Sequence, residues 1–205
     1  MNKTENLPIK ETFVLAVQNH QKNNLKVAEN LYKKILKTDP NHASAHNNLG
    51  LVFQAFGEFQ KARSCYEKAI EIQPNYANAY NNLGLVLKEL GERKKAISNY
   101  EKAIEINPNF AQTHNNLGLV FYGLRELQKA ISSYQKAIEI QPNFADAHNN
   151  LGIVFKELGE NQKAMSCYEK AIEINPNYAG AHNNLGVVFK ELGENQKAMS
   201  CYKKA

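Results

Sequence analysis

"AHNNLG" occupies residues 45–50, and the chain restates it as "AYNNLG" at 79–84, "THNNLG" at 113–118 and "AHNNLG" at 147–152 and 181–186. The phrase returns on one spacing. Gly50, Gly84, Gly118, Gly152 and Gly186 are each 34 residues apart, and so are Pro40, Pro74, Pro108, Pro142 and Pro176. A fixed period of 20 to 50 residues is the mark of a repeat array, in which each copy is one supersecondary unit and neighbouring copies bury a shared core.

One copy, residues 77–110, is enough to read the unit. "ANAYNNLGLVLKEL" sets Tyr80, Leu83, Gly84 and Leu87 at the three- and four-residue steps of one helical face. Gly91 follows where a left-handed residue ends a helix at little steric cost. "KKAISNYEKAIEI" then sets Ala96, Tyr100, Ala103 and Ile104 on the face of a second helix, and Asn107-Pro108 closes it, since a residue before proline disfavours the helical region. Gly84 costs about 1 kcal/mol of helix propensity against alanine. Repeating that cost in five copies implies a close approach between the two helices, with Ala96 and Ala103 as the expected counterparts. Neither helix buries its apolar face alone, so the core is expected to run as a line through stacked repeats.

The totals narrow the function classes. Of 205 residues, 43% are hydrophobic and 22% charged, as in ordinary folded domains. The net charge of +5 is modest, and part of it lies in residues 1–42, where seven lysines face four acids. Elsewhere lysine and glutamate alternate, as in "FKELGE" and "YEKAIEI". No basic stripe forms, and no nucleic-acid partner is expected. The opening "MNKTENLPIKETF" has no apolar stretch of signal-peptide length. No run approaches the ~20 apolar residues of a membrane span. A cytoplasmic protein with no membrane partner is therefore expected, and the sequon at Asn2-Lys3-Thr4 is read as without consequence. Cys65, Cys167 and Cys201 are odd in number and stand in step with the period, so they read as a copied side chain and not as a disulfide framework.

Counted from Ala77, positions 4, 7, 8, 11, 20, 24, 27 and 32 are Tyr80, Leu83, Gly84, Leu87, Ala96, Tyr100, Ala103 and Pro108. In length and at every marked position this resembles the tetratricopeptide repeat. The resemblance implies an all-α fold, a right-handed α-solenoid of stacked helix-turn-helix units with about six helix pairs. The expected divisions are an extension at 1–8, a degenerate repeat at 9–42, full repeats at 43–76, 77–110, 111–144 and 145–178, and an incomplete one at 179–205. The degenerate repeat keeps Leu15, Ala16, Ala28, Tyr32 and Pro40 but has Thr12, Asn19 and Ile35 at other marked places. The repeat at 111–144 has Arg125 where its sisters carry the turn glycine, with Gly123 two residues earlier, so a differently shaped turn is expected there. The last repeat stops short of its "AIEI" segment, which predicts a piece of something longer, with an uncapped end prone to self-association.

The residues carry no catalytic constellation. His46, His114, His148 and His182 share position 4, but equivalent positions in stacked helices are roughly 10 Å apart, too far for one metal ion. They read as packing residues at helix starts, and neither metal nor cofactor is expected. The cysteines share position 23, and nothing in the period brings a histidine base to them. Lysines at position 26 and glutamates at position 29, such as Lys102 and Glu105, describe a solvated face. No phosphate loop or nucleophile elbow is present.

The asparagines are the candidate binding groups. Position 5 holds Asn47, Asn81, Asn115, Asn149 and Asn183, and position 6 holds Asn48, Asn82, Asn116, Asn150 and Asn184. The resemblance implies that first-helix positions 2, 5, 6, 9, 12 and 13 line a concave groove. A carboxamide offers donor and acceptor together, matching a peptide backbone. The competing reading is that each asparagine bonds its own or a neighbouring helix. Position 9 adds Leu51, Leu85, Leu119, Ile153 and Val187, and position 12 adds Lys88 and Lys156. Family members that clamp acidic chaperone tails use basic residues at positions 2, 5 and 6, with asparagine at position 9. Position 2 here reads Ser44, Asn78, Gln112, Asp146 and Gly180, and position 5 is never basic, so a clamp of that kind is not expected. Two functions remain: a protein-interaction scaffold holding an extended peptide or partner protein, or the substrate-recruiting arm of a longer glycosyl- or sulfotransferase. The phrase "A(H/Y)NNLG" followed by "KAIEI" resembles both bacterial tetratricopeptide proteins and the arm of O-linked N-acetylglucosamine transferases.

Overall fold

A computed structural model describes residues 7–205; the Asn2-Lys3-Thr4 sequon and most of the expected 1–8 extension lie outside them. Among the described residues there are twelve α-helices and no strand. They fall into two compact units that meet in sequence at Pro108 and Asn109. The first holds α1 (Ile9–Gln21), α2 (Leu25–Thr38), α3 (Ala43–Ala55), α4 (Phe59–Ile72), α5 (Ala77–Glu89) and α6 (Arg93–Ile106). The second holds α7 (Ala111–Gly123), α8 (Leu127–Ile140), α9 (Ala145–Glu157), α10 (Asn161–Ile174), α11 (Ala179–Glu191) and α12 (Asn195–Tyr202).

Each odd-numbered helix packs on the even-numbered helix that follows it, and within a unit α2 packs on α3, α4 on α5, α8 on α9 and α10 on α11. First helices also touch one another, α1 with α3 and α3 with α5 in one unit, α7 with α9 and α9 with α11 in the other. Within either unit no second helix approaches the next second helix as closely. The first helices therefore lie closer together than the second, and they form the inner side of each stack.

The turn inside each pair is a left-handed helix stop. At Gly91 φ is +79°. Its N–H donates to Lys88 O at 3.0 Å, and Glu92 N–H donates to Leu87 O at 2.8 Å, which satisfies two of the last carbonyls of α5. Arg125 does the same with φ +64°, its N–H on Tyr122 O at 3.0 Å and Glu126 N–H on Phe121 O at 2.9 Å. The differently shaped turn expected there does not form. The neighbouring hydrogen bonds hold Arg125 in a conformation that its side chain disfavours. Asn23 stands likewise at +60° between α1 and α2.

The core repeats with the sequence. On the second helices Ala62, Tyr66 and Ala69, Ala96, Tyr100 and Ala103, and Ala164, Tyr168 and Ala171 are fully buried. On the first helices Leu83, Val86 and Leu87 are buried with their counterparts, while Tyr80 is only half-buried. The expected counterparts of the helix glycines were alanines, but the structure sets a tyrosine ring there. A methyl built on Gly84 would stand 2.7 Å from Tyr100 Cε1. The same approach joins Gly50 to Tyr66, Gly118 to Tyr134, Gly152 to Tyr168 and Gly186 to Tyr202, at 2.5 to 2.6 Å from Cε1. The glycine thus makes room for the largest side chain of the second helix, and that buried area offsets the lost helix propensity.

Candidate peptide-binding face

The paired asparagines lie on the inner side, and their amides bond from one repeat to the next. In the first unit Asn81 Nδ2 donates to Asn82 Oδ1 at 3.3 Å, Asn82 Nδ2 to Asn47 Oδ1 at 3.0 Å, and Asn47 Nδ2 to Asn48 Oδ1 at 3.2 Å. In the second unit Asn150 Nδ2 donates to Asn115 Oδ1 and Asn184 Nδ2 to Asn149 Oδ1, both at 3.0 Å. Asn82, Asn150 and Asn184 at position 6 thus each reach back to the position 5 acceptor of the preceding repeat. Asn47, Asn81, Asn115 and Asn149 are buried, and Asn183 is exposed. Asn48, Asn82, Asn150 and Asn184 are half-buried, while Asn116 is buried and accepts from Gln112 Nε2 at 3.1 Å.

This arrangement gives the asparagines a task inside the fold that the sequence reading set beside the ligand role. A carboxamide has two N–H donors and two acceptor lone pairs. At Asn82 one N–H and one lone pair are engaged, so the half-buried amide retains one of each. Next along the same face, Leu51 and Leu85 in the first unit, and Leu119, Ile153 and Val187 in the second, are all half-buried. Lys88 pairs with Glu89 at 2.9 Å, and Lys156 pairs with Glu191 of the next repeat at 2.9 Å.

The outer side carries the other candidates. His46, His148 and His182 each place Nε2 2.9 Å from a carbonyl, that of Pro40, Pro142 and Pro176 respectively, which pins the first-helix start to the preceding loop. His148 of α9 and Cys167 of α10 line one pocket of about 350 Å³ with Ile138, Leu151 and Lys170, and His182 and Cys201 share another of about 210 Å³. The 34-residue period alone brings no histidine to the cysteines. Second helices standing apart bring them to one cleft, because it opens onto the first helix between them. Burial pushes the Cys65 and Cys167 thiols up to about 11, so near neutrality they are protonated and weakly nucleophilic. Among the described residues no three metal-ligating side chains gather, and no helix is long and apolar enough to cross a membrane.

Comparison with known proteins adds the family. Models described as tetratricopeptide repeat match residues 15–75, 41–109 and 99–132, and one described as TPR repeat matches 126–159 and 154–193. Curated proteins return no match. Among solved structures the chain is similar to MamA, with 29% identity and a TM-score of 0.69 over 83% of this chain and 93% of that one. It is similar to YrrB, described as a TPR protein with an unusual peptide-binding site, with 25% identity and a TM-score of 0.65 over 84% and 89%. PilF of Pseudomonas aeruginosa shares the fold, at 22% identity and a TM-score of 0.85 over 94% and 88%. With the 34-residue period, the stacked helix pairs and matches that run together from residue 15 to 193, the chain belongs to the tetratricopeptide repeat family and has its α-solenoid fold.

Proposed function

We propose that the chain is a protein-interaction scaffold whose first-helix side holds an extended segment of a partner protein. The observation that carries the reading is a triplet repeated at three-residue spacing on that side. Asn82, Leu85 and Lys88 on α5 form one copy, and Asn150, Ile153 and Lys156 on α9 form the other. All six are half-buried, whereas the remaining aliphatics of these helices face the core. An extended backbone presents alternating N–H and C=O groups, which the unspent lone pair and N–H of the amides match. The aliphatic row would bury part of the segment's side chains. The peptide-binding site described for YrrB supports the same use of the fold.

The reading is tested by panning a display library of unstructured peptides on the protein and on a Leu85→Asp/Ile153→Asp variant. Both residues are half-exposed, so the variant should keep its helical circular dichroism and its melting temperature. Wild type should enrich peptides that the variant releases. Peptides retained equally by a folded variant, or no enrichment on wild type, would overturn the assignment. An arm that recruits protein substrates for a transferase would use the same face and meet the same test.

A further inference from the structure

The second-helix tyrosines end beneath the docking side. Tyr66 OH donates to Gln54 Oε1 at 3.0 Å, and Gln54 is the residue at position 12 of its first helix. Tyr32 meets His20, the equivalent residue in the first pair, ring centroids 6.4 Å apart. Burial raises the Tyr134 phenol pKa, and the neighbouring Tyr122, again position 12, raises it further. Position 12 therefore lies beside the hydroxyl end of the second-helix tyrosine, and in the Tyr66 repeat it supplies the hydrogen-bond acceptor.

In three repeats that place holds a lysine: Lys88 for Tyr100, Lys156 for Tyr168, and Lys190 for Tyr202, which unlike the first two tyrosines is exposed. An ammonium has three donors and no acceptor, so it cannot take a phenol proton. Both side chains, Tyr100 and Tyr168, are 0% exposed, and their hydroxyl oxygens are buried with no hydrogen-bond partner. A buried donor left unpaired is exceptional in a folded protein. Tyr32 is the third such hydroxyl, but its polar neighbours are His20 and Asn48, with no lysine over it. Lys88 and Lys156 are half-exposed and pair with Glu89 and Glu191, carboxylates whose charge also bears on the Tyr100 and Tyr168 phenols.

We propose that Tyr100 with Lys88, and Tyr168 with Lys156, are two carboxylate subsites, and that the segment held on the first-helix side is an acidic polypeptide. A side-chain carboxylate entering there accepts from the phenol O–H and takes the lysine from its surface partner, so that buried donor and cation are satisfied together. The proposal rests on the docking side argued above and adds the chemical class of what docks.

The test uses two dye-labelled Gly/Ser peptides with leucines and amidated ends, one carrying glutamates and the other glutamines at the same places. Binding to the full chain is read by fluorescence anisotropy. The glutamate peptide should bind about tenfold more tightly, the usual scale for hydrogen bonds to a charged group. A Tyr100→Phe/Tyr168→Phe variant should lose that margin, bind the glutamine peptide as before, and melt no lower than wild type. Equal binding of the two peptides overturns the carboxylate subsites. A margin that survives in the phenylalanine variant overturns them too, since general charge attraction would explain it. A lower melting temperature without peptide would show that the fold itself uses the hydroxyls. If library peptides bind while the glutamate probe gains nothing, only the acidic class falls. If neither the library nor the probes bind, the docking side falls with it.

Discussion

Gly84→Ala should destabilise the protein although it improves the helix. The added methyl would lie 2.7 Å from Tyr100 Cε1, 2.8 Å from Cδ1 and 3.0 Å from Cζ, against the 3.5–4.0 Å of an ordinary carbon contact. The ring cannot retreat, because Tyr100 is 0% exposed. Overpacking of this kind costs about 1–3 kcal/mol, and a gap so short against a ring so enclosed belongs at the upper end. Alanine returns about 1 kcal/mol of helix propensity, so the net loss should be about 2 kcal/mol. For a chain of this size that corresponds to a midpoint lower by roughly 4–8 °C. Gly123→Ala supplies the control of opposite sign. Gly123 ends α7 without a positive φ, and a methyl added to it would meet no heavy atom within 4 Å, so alanine there should be neutral or stabilise by up to about 1 kcal/mol. Urea unfolding followed by circular dichroism measures both. On a Tyr100→Leu background Gly84→Ala should be neutral or stabilise by up to about 1 kcal/mol, since the clashing ring is gone and the helix propensity remains. An alanine at 84 that stabilises wild type, or that costs the same with and without the ring, would refute the account.

Two more substitutions test the joints. Asn82→Ala with Asn150→Ala leaves the buried Oδ1 atoms of Asn47 and Asn115 without their donors, and should cost about 1–3 kcal/mol at each site before any peptide is added; an unchanged urea midpoint would show that the inter-repeat bonds carry no weight. Arg125→Gly should stabilise by about 0.5–1 kcal/mol, because it removes a left-handed arginine and gives up only its ion pair with Glu157, in which the arginine is 74% exposed; a loss of stability would mean that the pair outweighs the strain.

The fold was legible because its punctuation is chemical. Gly91 and its sisters stop one helix, Pro108 and its sisters stop the next, and the apolar steps between them have a single period. The partner of Gly84 was not legible, since a gap in a helix surface is filled by whatever the facing helix brings there, and the facing residue proved to be a ring and not a methyl group. Arg125 misled because residue type governs preference for a left-handed turn, whereas the turn itself is held by backbone bonds that its neighbours make. The asparagines were ambiguous for a different reason. An amide satisfied by the next repeat and an amide waiting for a ligand are the same residue, and only the 3.0 Å contact from Asn82 to Asn47 shows where one of its donors goes. His148 and Cys167 share a cleft through helix spacing, a quantity that no residue pattern states.

From residue 43 onward the asparagine joint carries both of its halves in each copy, an acceptor at position 5 and a donor at position 6. A duplicated copy inserted in frame therefore arrives with a fitting for the repeat before it and another for the repeat after it. The array can lengthen or shorten by whole repeats without any new complementary surface having to evolve. Residues 145–171 and 179–205 look like such an event, for they differ at three of 27 positions: Asp146/Gly180, Ile153/Val187 and Glu169/Lys203. Both asparagines are untouched, while Ile153/Val187 falls on the half-buried aliphatic row beside them. Inheritance keeps the joint and leaves the surface beside it free to drift toward a new partner.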